Sequence, residues 1–172
     1  MTTLITGGSK CGKSSYAEKI LDNICGRKLY IATMIPFGEE AHTAIERHRK
    51  IRAGKGFETV EKYTDIDETV LPENCAVLLE CMANLCANEM FRKDKITDPT
   101  DKILRGIEAM SRKAKQLVIV TNNVGCDGIK YDSGTAEYIE ILGKINCGLA
   151  EISDNVIECV YGIPLPLKGE LL

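Results

Sequence analysis

Thr2-Thr3-Leu4-Ile5-Thr6-Gly7-Gly8-Ser9-Lys10-Cys11-Gly12-Lys13-Ser14 leads an apolar segment into a loop that matches G-x-x-x-x-G-K-[ST] at every fixed position. Beyond the loop, Tyr16, Ala17, Ile20, Leu21 and Ile24 recur at three- and four-residue spacing and predict a helix to about Cys25. Strand, glycine turn and helix in this order are what the motif needs to wrap a phosphate. The glycines clear side chains from the loop, backbone N–H groups point inward, and the helix adds its positive end. Lys13 supplies a point charge to the outer phosphates, and the Ser14 hydroxyl is the expected Mg²⁺ ligand.

Working outward, strands are predicted over residues 29–33, 57–61, 76–80, 117–121 and 156–161, with 57–61 at an edge. Ala-Val-Leu-Leu-Glu at 76–80 and Leu-Val-Ile-Val-Thr at 117–121 are continuous apolar runs, which suit strands buried on both faces. Helices are predicted over 39–53, 82–92, 98–115 and 134–152, the third opened by Asp98 and Pro99. Gly162-Ile163-Pro164-Leu165-Pro166 is read as a tail without regular structure. Strands alternating with helices imply an α/β fold of the P-loop NTPase kind. It has a mainly parallel sheet, helices on both faces, and ligands at the carboxyl ends of the strands. Residues 1–172 are expected to form a single domain.

With 44% hydrophobic and 27% charged residues, the composition is that of an ordinary globular chain. A net charge of −3 argues against nucleic-acid binding driven by bulk charge. No apolar run is long enough for a membrane span, and no signal-peptide core opens the chain, so a cytoplasmic location is expected. The eight cysteines include no C-x-x-C and no zinc-like spacing; they are expected to be buried, reduced thiols. Cys11, inside the loop, is the exception.

A phosphate loop does not specify a reaction. Asn122-Asn123-Val124-Gly125 does not match the Asn-Lys-x-Asp that a switch GTPase needs for its base. Glu80 closes a buried strand, where an ionised group is costly without a partner, and is placed to hold Mg²⁺ or its water. The two histidines, His42 and His48, lie in the charged segment 39–53. Ala41, Ile45, His48 and Arg52 share one helical face, and nearby guanidinium groups favour a neutral imidazole, which can act as a nucleophile. A solvated basic helix face with an incidental histidine accounts for the same residues.

The order of segments carries more. The loop is followed by Leu29-Tyr30-Ile31-Ala32-Thr33, then Glu46-Arg47-His48-Arg49-Lys50-Ile51-Arg52, Glu61, Leu78-Leu79-Glu80-Cys81, Val120-Thr121-Asn122, Gly143-Lys144-Ile145-Asn146 and Gly162-Ile163-Pro164-Leu165. Over nearly its whole length the chain resembles the bifunctional adenosylcobinamide kinase/adenosylcobinamide-phosphate guanylyltransferase family of cobalamin biosynthesis.

The resemblance implies phosphorylation of the corrinoid's aminopropanol hydroxyl by ATP or GTP. A GMP transfer from GTP through a GMP–histidine intermediate then follows. It places the GMP on His48 and gives His42 no role. It puts Gly7, Gly8, Ser9, Lys10, Cys11, Gly12, Lys13, Ser14, Ala32, Thr33, Met34, Arg49, Lys50, Ile51, Arg52, Glu61 and Glu80 around the nucleotide, with Ser14 and Glu80 toward Mg²⁺. It further implies a closed homo-oligomer, a trimer. The chain departs from the family pattern at Asn123, Ala136, Ile139, Glu140, Cys147, Ala44 and Phe57. A relative acting on another acceptor and a nucleotide-binding protein with little turnover are the alternatives. Lys13, Ser14, Glu80 and His48 together favour an enzyme.

Overall fold

β1 (Thr2–Thr6), α1 (Lys13–Asp22), β2 (Lys28–Ala32), β3 (Phe57–Glu61), β4 (Ala76–Glu80), α2 (Met82–Met90), α3 (Thr100–Lys113), β5 (Gln116–Val120), α4 (Ser133–Ile152), β6 (Asn155–Val160) and β7 (Ile163–Lys168) follow one another in this computed structural model. A 3-10 turn, Ile66–Glu68, lies between β3 and β4. The structure describes residues 1–36, 53–92 and 96–171, so the predicted charged helix falls outside the described residues apart from Ala53.

The described strands form one sheet in the order β3-β2-β4-β5-β1-β6-β7. Every pairing is parallel except β6 with β7. The continuous apolar runs are explained by burial on both faces. Leu29, Ile31, Val77, Leu79, Leu117 and Ile119 point to the side covered by α2, α3 and α4. Tyr30, Ala76, Leu78, Val118 and Val120 point to the side of α1, where Ala17 and Leu21 meet them. Truncating one of the fully buried residues, such as Leu79, would cost about 2–5 kcal/mol.

The helix starts follow their sequences. The Asp98 carboxylate accepts from the Thr100 backbone N–H at 2.9 Å and from its hydroxyl, but the N-cap of α3 is Pro99, so the expected cap and first-turn positions each shift by one residue. These bonds hold the Asp98 carboxyl below its ordinary range. Asp132 is the N-cap of α4 and accepts from Thr135, at 3.0 Å from the backbone N–H and 2.7 Å from the hydroxyl. Helix α3 approaches the 3-10 turn so closely that a Cβ on Gly106 would lie 2.9 Å from the Asp67 nitrogen.

Two expectations are corrected. Of residues 162–166, read as an irregular tail, Ile163 to Pro166 belong to β7 (Ile163–Lys168) at the sheet edge. Pro164 and Pro166 are two residues apart, so both missing N–H groups fall on one side of the strand; on an edge strand that side faces outward and costs no ladder bond. The cysteines are free but not uniformly buried: Cys75, Cys86 and Cys159 are buried, whereas Cys25, Cys126 and Cys147 are exposed. Burial pushes the Cys86 thiol up to about 12, which suits an inert hydrophobe.

Candidate active site

The parallel register brings one row of residues to the carboxyl edge of the sheet. Glu61 pairs with Ala32, Ala32 with Glu80, Glu80 with Val120, and Val120 with Ile5. The glycine loop leaves β1 one residue beyond this row, so it lies across the ends of β4 and β5. Gly7 takes φ +137°, and a Cβ there would sit 2.4 Å from the Cys159 carbonyl oxygen and 2.9 Å from the Cys11 sulfur. Only glycine allows the loop to start that close to β6. Gly12, at φ +97°, begins α1.

Lys13 is 6% exposed. Its Nζ donates to the Gly7 carbonyl at 2.8 Å and to the Gly8 carbonyl, and it lies 3.7 Å from the Cys11 sulfur. The ammonium is thus fixed inside the turn of the loop. The Ser14 hydroxyl donates to Glu80 Oε1, and the Tyr30 hydroxyl donates to Glu80 Oε2 at 2.8 Å. Glu80 is therefore not a cap of the next helix: both of its oxygens are taken up by groups of α1 and β2.

A second tier holds this carboxylate in place. The Thr33 hydroxyl accepts from Cys81 N and donates to Cys81 O, both at 2.8 Å, and Thr33 N donates to Glu80 O at 3.1 Å. The Asn88 carboxamide, on α2, donates to Thr33 O at 2.7 Å and to Tyr63 O at 2.9 Å, joining the ends of β2 and β3. Behind it, Lys102 bridges Asp65 and the buried Glu89, the latter at 2.8 and 3.0 Å. Lys102 and then Arg92 hold the Asp65 carboxyl well below the usual carboxylate range.

Ser9 through Ser14 line a cleft of about 510 Å³, together with the expected Ala32, Met34, Glu61 and Glu80. Gly7 and Gly8 lie behind it as acceptors for Lys13. Thr33 is fully buried and serves the Glu80–Cys81 peptide instead of lining the cleft. His48, Arg49, Lys50, Ile51 and Arg52 lie outside the described residues, as does His42. Sequence reasoning missed Tyr30, Thr59, Cys81, Asn84 and Asn122 in the lining. Tyr30 could have been found, because a tyrosine in the middle of a buried strand must bring its hydroxyl to a partner.

A glycine loop entering α1, a lysine fixed within it, and a carboxylate from β4 against the loop serine define a P-loop nucleotide-binding protein. A solved structure of an ATPase domain has a similar fold, with a TM-score of 0.53 at 10% identity over 91% of this chain and 68% of that one. The family is shown by sequence: the model of cobinamide kinase / cobinamide phosphate guanyltransferase matches residues 3–167, and the chain belongs to that family. It is similar to the bifunctional adenosylcobalamin biosynthesis protein CobU of Escherichia coli, with 33% identity over 98% of this chain and 100% of the relative. The CobU protein of Salmonella typhimurium is 30% identical over 98% of this chain and all of its own length (100%). The bifunctional CobP protein of Pseudomonas aeruginosa is 27% identical over the full length of both chains (100% of each).

Proposed function

We propose that the protein phosphorylates the hydroxyl of adenosylcobinamide with a nucleoside triphosphate and then transfers GMP from GTP to that phosphate, giving adenosylcobinamide-GDP. The observation that carries this is the convergence of Lys13, Ser14 and Glu80 at the loop of a chain matched to the family over residues 3–167. In the first reaction Lys13 and the loop N–H groups hold the β- and γ-phosphates while the acceptor hydroxyl is positioned in line. In the second, His48 takes the GMP from the α-phosphorus of GTP, pyrophosphate leaves, and the acceptor phosphate then displaces the histidine.

Mg²⁺ fits this site. Among the described residues no group of three or more His, Cys, Asp or Glu side chains could hold a metal ion. Mg²⁺ needs none, since it takes one or two protein oxygens and completes its shell with phosphates and water. Ser14 Oγ and Glu80 Oε1 are two hard oxygens already in contact beside the loop. When bound, the ion neutralises charge on the phosphates; Tyr30 and Thr33 keep the Glu80 carboxylate where it can meet it. Among the described residues no helix is long and apolar enough to cross a membrane. A closed homo-oligomer, a trimer, is part of the same proposal.

Mass spectrometry of protein incubated with Mg·GTP tests the covalent step. The expected result is a GMP adduct that His48→Ala abolishes and His42→Ala retains. The His48→Ala protein should still phosphorylate the acceptor, because phosphoryl transfer needs no covalent histidine. An adduct on another residue, or one surviving in His48→Ala, overturns the assignment.

A further inference from the structure

A second cleft, of about 410 Å³, opens beside the first and shares two lining residues with it, Ser9 and Asn122. It is formed by the loop that follows β5, from Asn122 to Tyr131, against the start of the glycine loop. The sheet order explains the placement: β5 is the neighbour of β1, so the segments leaving their carboxyl ends lie side by side. Two bonds fasten these segments together, and a third ties Asn123 to β6. The Thr6 hydroxyl donates to Asn123 Oδ1 at 2.5 Å, Asn123 N donates to the Gly7 carbonyl at 3.4 Å, and Asn123 Nδ2 donates to Glu158 at 3.2 Å.

The loop has a built shape. Gly125 takes φ +78°, and a Cβ there would lie 2.9 Å from Ile139 of α4, so the turn is pressed against that helix. The Tyr131 hydroxyl donates to Asp127 at 2.6 Å, and Ile129 N donates to the same carboxylate at 3.2 Å, closing the far wall. The wall chemistry is two carboxamides, the Ser9 and Tyr131 hydroxyls and one carboxylate, with no lysine, arginine or histidine among the described residues. Such a surface, with one carboxylate and no cation in its lining, suits a neutral or cationic molecule rich in amides and hydroxyls. It would repel a second triphosphate, which the lysines of the first cleft attract.

We infer that this second cleft receives the acceptor alcohol, and that the transfer takes place across the Ser9–Asn122 border between the two clefts. The inference rests on the function proposed above and adds where the acceptor sits. The nucleotide enters from one side of the loop and the acceptor from the other, which is the arrangement an in-line displacement requires. The acceptor oxygen bonds to the γ-phosphorus, and the bond from that phosphorus to the bridging oxygen breaks. The nucleoside diphosphate leaves with the electron pair, and the hydroxyl proton passes to solvent. Asn122 lines both clefts and is the side chain positioned to orient the acceptor at the crossing.

Cys126, exposed on the second cleft, and Cys11, in the loop lining the first, allow both sites to be read in one experiment. The intact protein is alkylated with a maleimide in the presence of adenosylcobinamide, of Mg·GTP, or of neither, and labelling at each cysteine is followed by mass spectrometry. The expected result is at least fivefold slower labelling of Cys126 with adenosylcobinamide and of Cys11 with Mg·GTP, without the converse effects. A parallel variant, Cys126→Trp, places an indole in the second cleft. It should raise the KM for adenosylcobinamide at least tenfold and leave the Kd for Mg·GTP within twofold. Unchanged Cys126 labelling at an adenosylcobinamide concentration that saturates wild-type turnover overturns the site while leaving the function standing. No turnover of adenosylcobinamide at any concentration overturns the function and this site together.

Discussion

Lys13→Ala removes the charge on which the phosphate loop depends. In the folded protein the ammonium is almost fully enclosed and donates to the Gly7 and Gly8 carbonyls. A phosphate oxygen about 4 Å from it would gain about 4 kcal/mol at an effective dielectric constant near 20. To meet the phosphate the ammonium gives up its loop carbonyls, at about 1 kcal/mol each. The net contribution is therefore at least about 2 kcal/mol and at most about 4 kcal/mol, which predicts a rise in the Kd for Mg·GTP of roughly 30-fold to 1,000-fold. Titration calorimetry of both proteins at one ionic strength measures it, with a melting curve to show that the variant folds. The Gly7 carbonyl also accepts from Asn123 N, so the loop keeps a tie to β5 without the lysine. A folded Lys13→Ala protein that binds Mg·GTP within threefold of wild type would refute the reasoning.

Lys102→Met should destabilise the protein by about 3 kcal/mol in urea unfolding, because it takes from the buried Glu89 carboxylate its hydrogen-bonded cation and leaves it Arg92 at 4.0 Å. The Asp65 carboxyl is held low in the folded state, so its contribution is complete above its unfolded value near 4 and is lost as the pH falls below that. The wild-type urea midpoint should fall from about pH 4 downward, and the fall in Lys102→Met should be shallower over the same window. Gly106→Ala should lower stability by about 1–2 kcal/mol on a thermal melt: the new methyl meets the rigid Asp67 backbone, and this outweighs the gain of about 1 kcal/mol in helix propensity. Asn88→Ala should cost about 2 kcal/mol and raise the Mg²⁺ concentration for half-maximal kinase activity, since Thr33 then orients the Glu80–Cys81 peptide less firmly. An unchanged Mg²⁺ requirement in a destabilised Asn88→Ala protein would reduce that residue to a purely structural role.

The features legible in the sequence are those in which chemistry and local geometry coincide. The glycine loop is contiguous, its motif specifies each atom's task, and the flanking periodicities supply the strand and the helix. Continuous apolar runs announced β4 and β5 because burial on both faces leaves no room for alternation. The start of α3 is legible to within one residue from Asp98-Pro99, although Pro99, not Asp98, takes the N-cap position. The tail was misread because a proline's effect on a strand depends on which side of it another strand lies, and that is a property of the sheet.

The remainder of the site depends on register, which no local pattern expresses. Its position at the end of a buried run marks Glu80 as a metal-site residue, but its partners come from segments 66 and 50 residues away. A shift of one residue in the pairing of β2 with β4 would turn Tyr30 away from Glu80 and put Leu29 or Ile31 in its place. The α1-facing row of apolar side chains would then be buried on the opposite face, and that cost fixes the register. The core therefore determines which hydroxyl reaches the carboxylate. Thr33 shows the same dependence: by composition it is one more β-branched strand residue, and its role arises only because β2 lies beside β4 and brings it to the Cys81 peptide. Register and strand order also separate the two clefts. The first follows from the row Glu61–Ala32–Glu80–Val120, and the second from β5 being the neighbour of β1. Moving the acceptor to another cleft would thus take a change of strand order, whereas changing which acceptor is recognised takes only side chains on the loop from Asn122 to Tyr131.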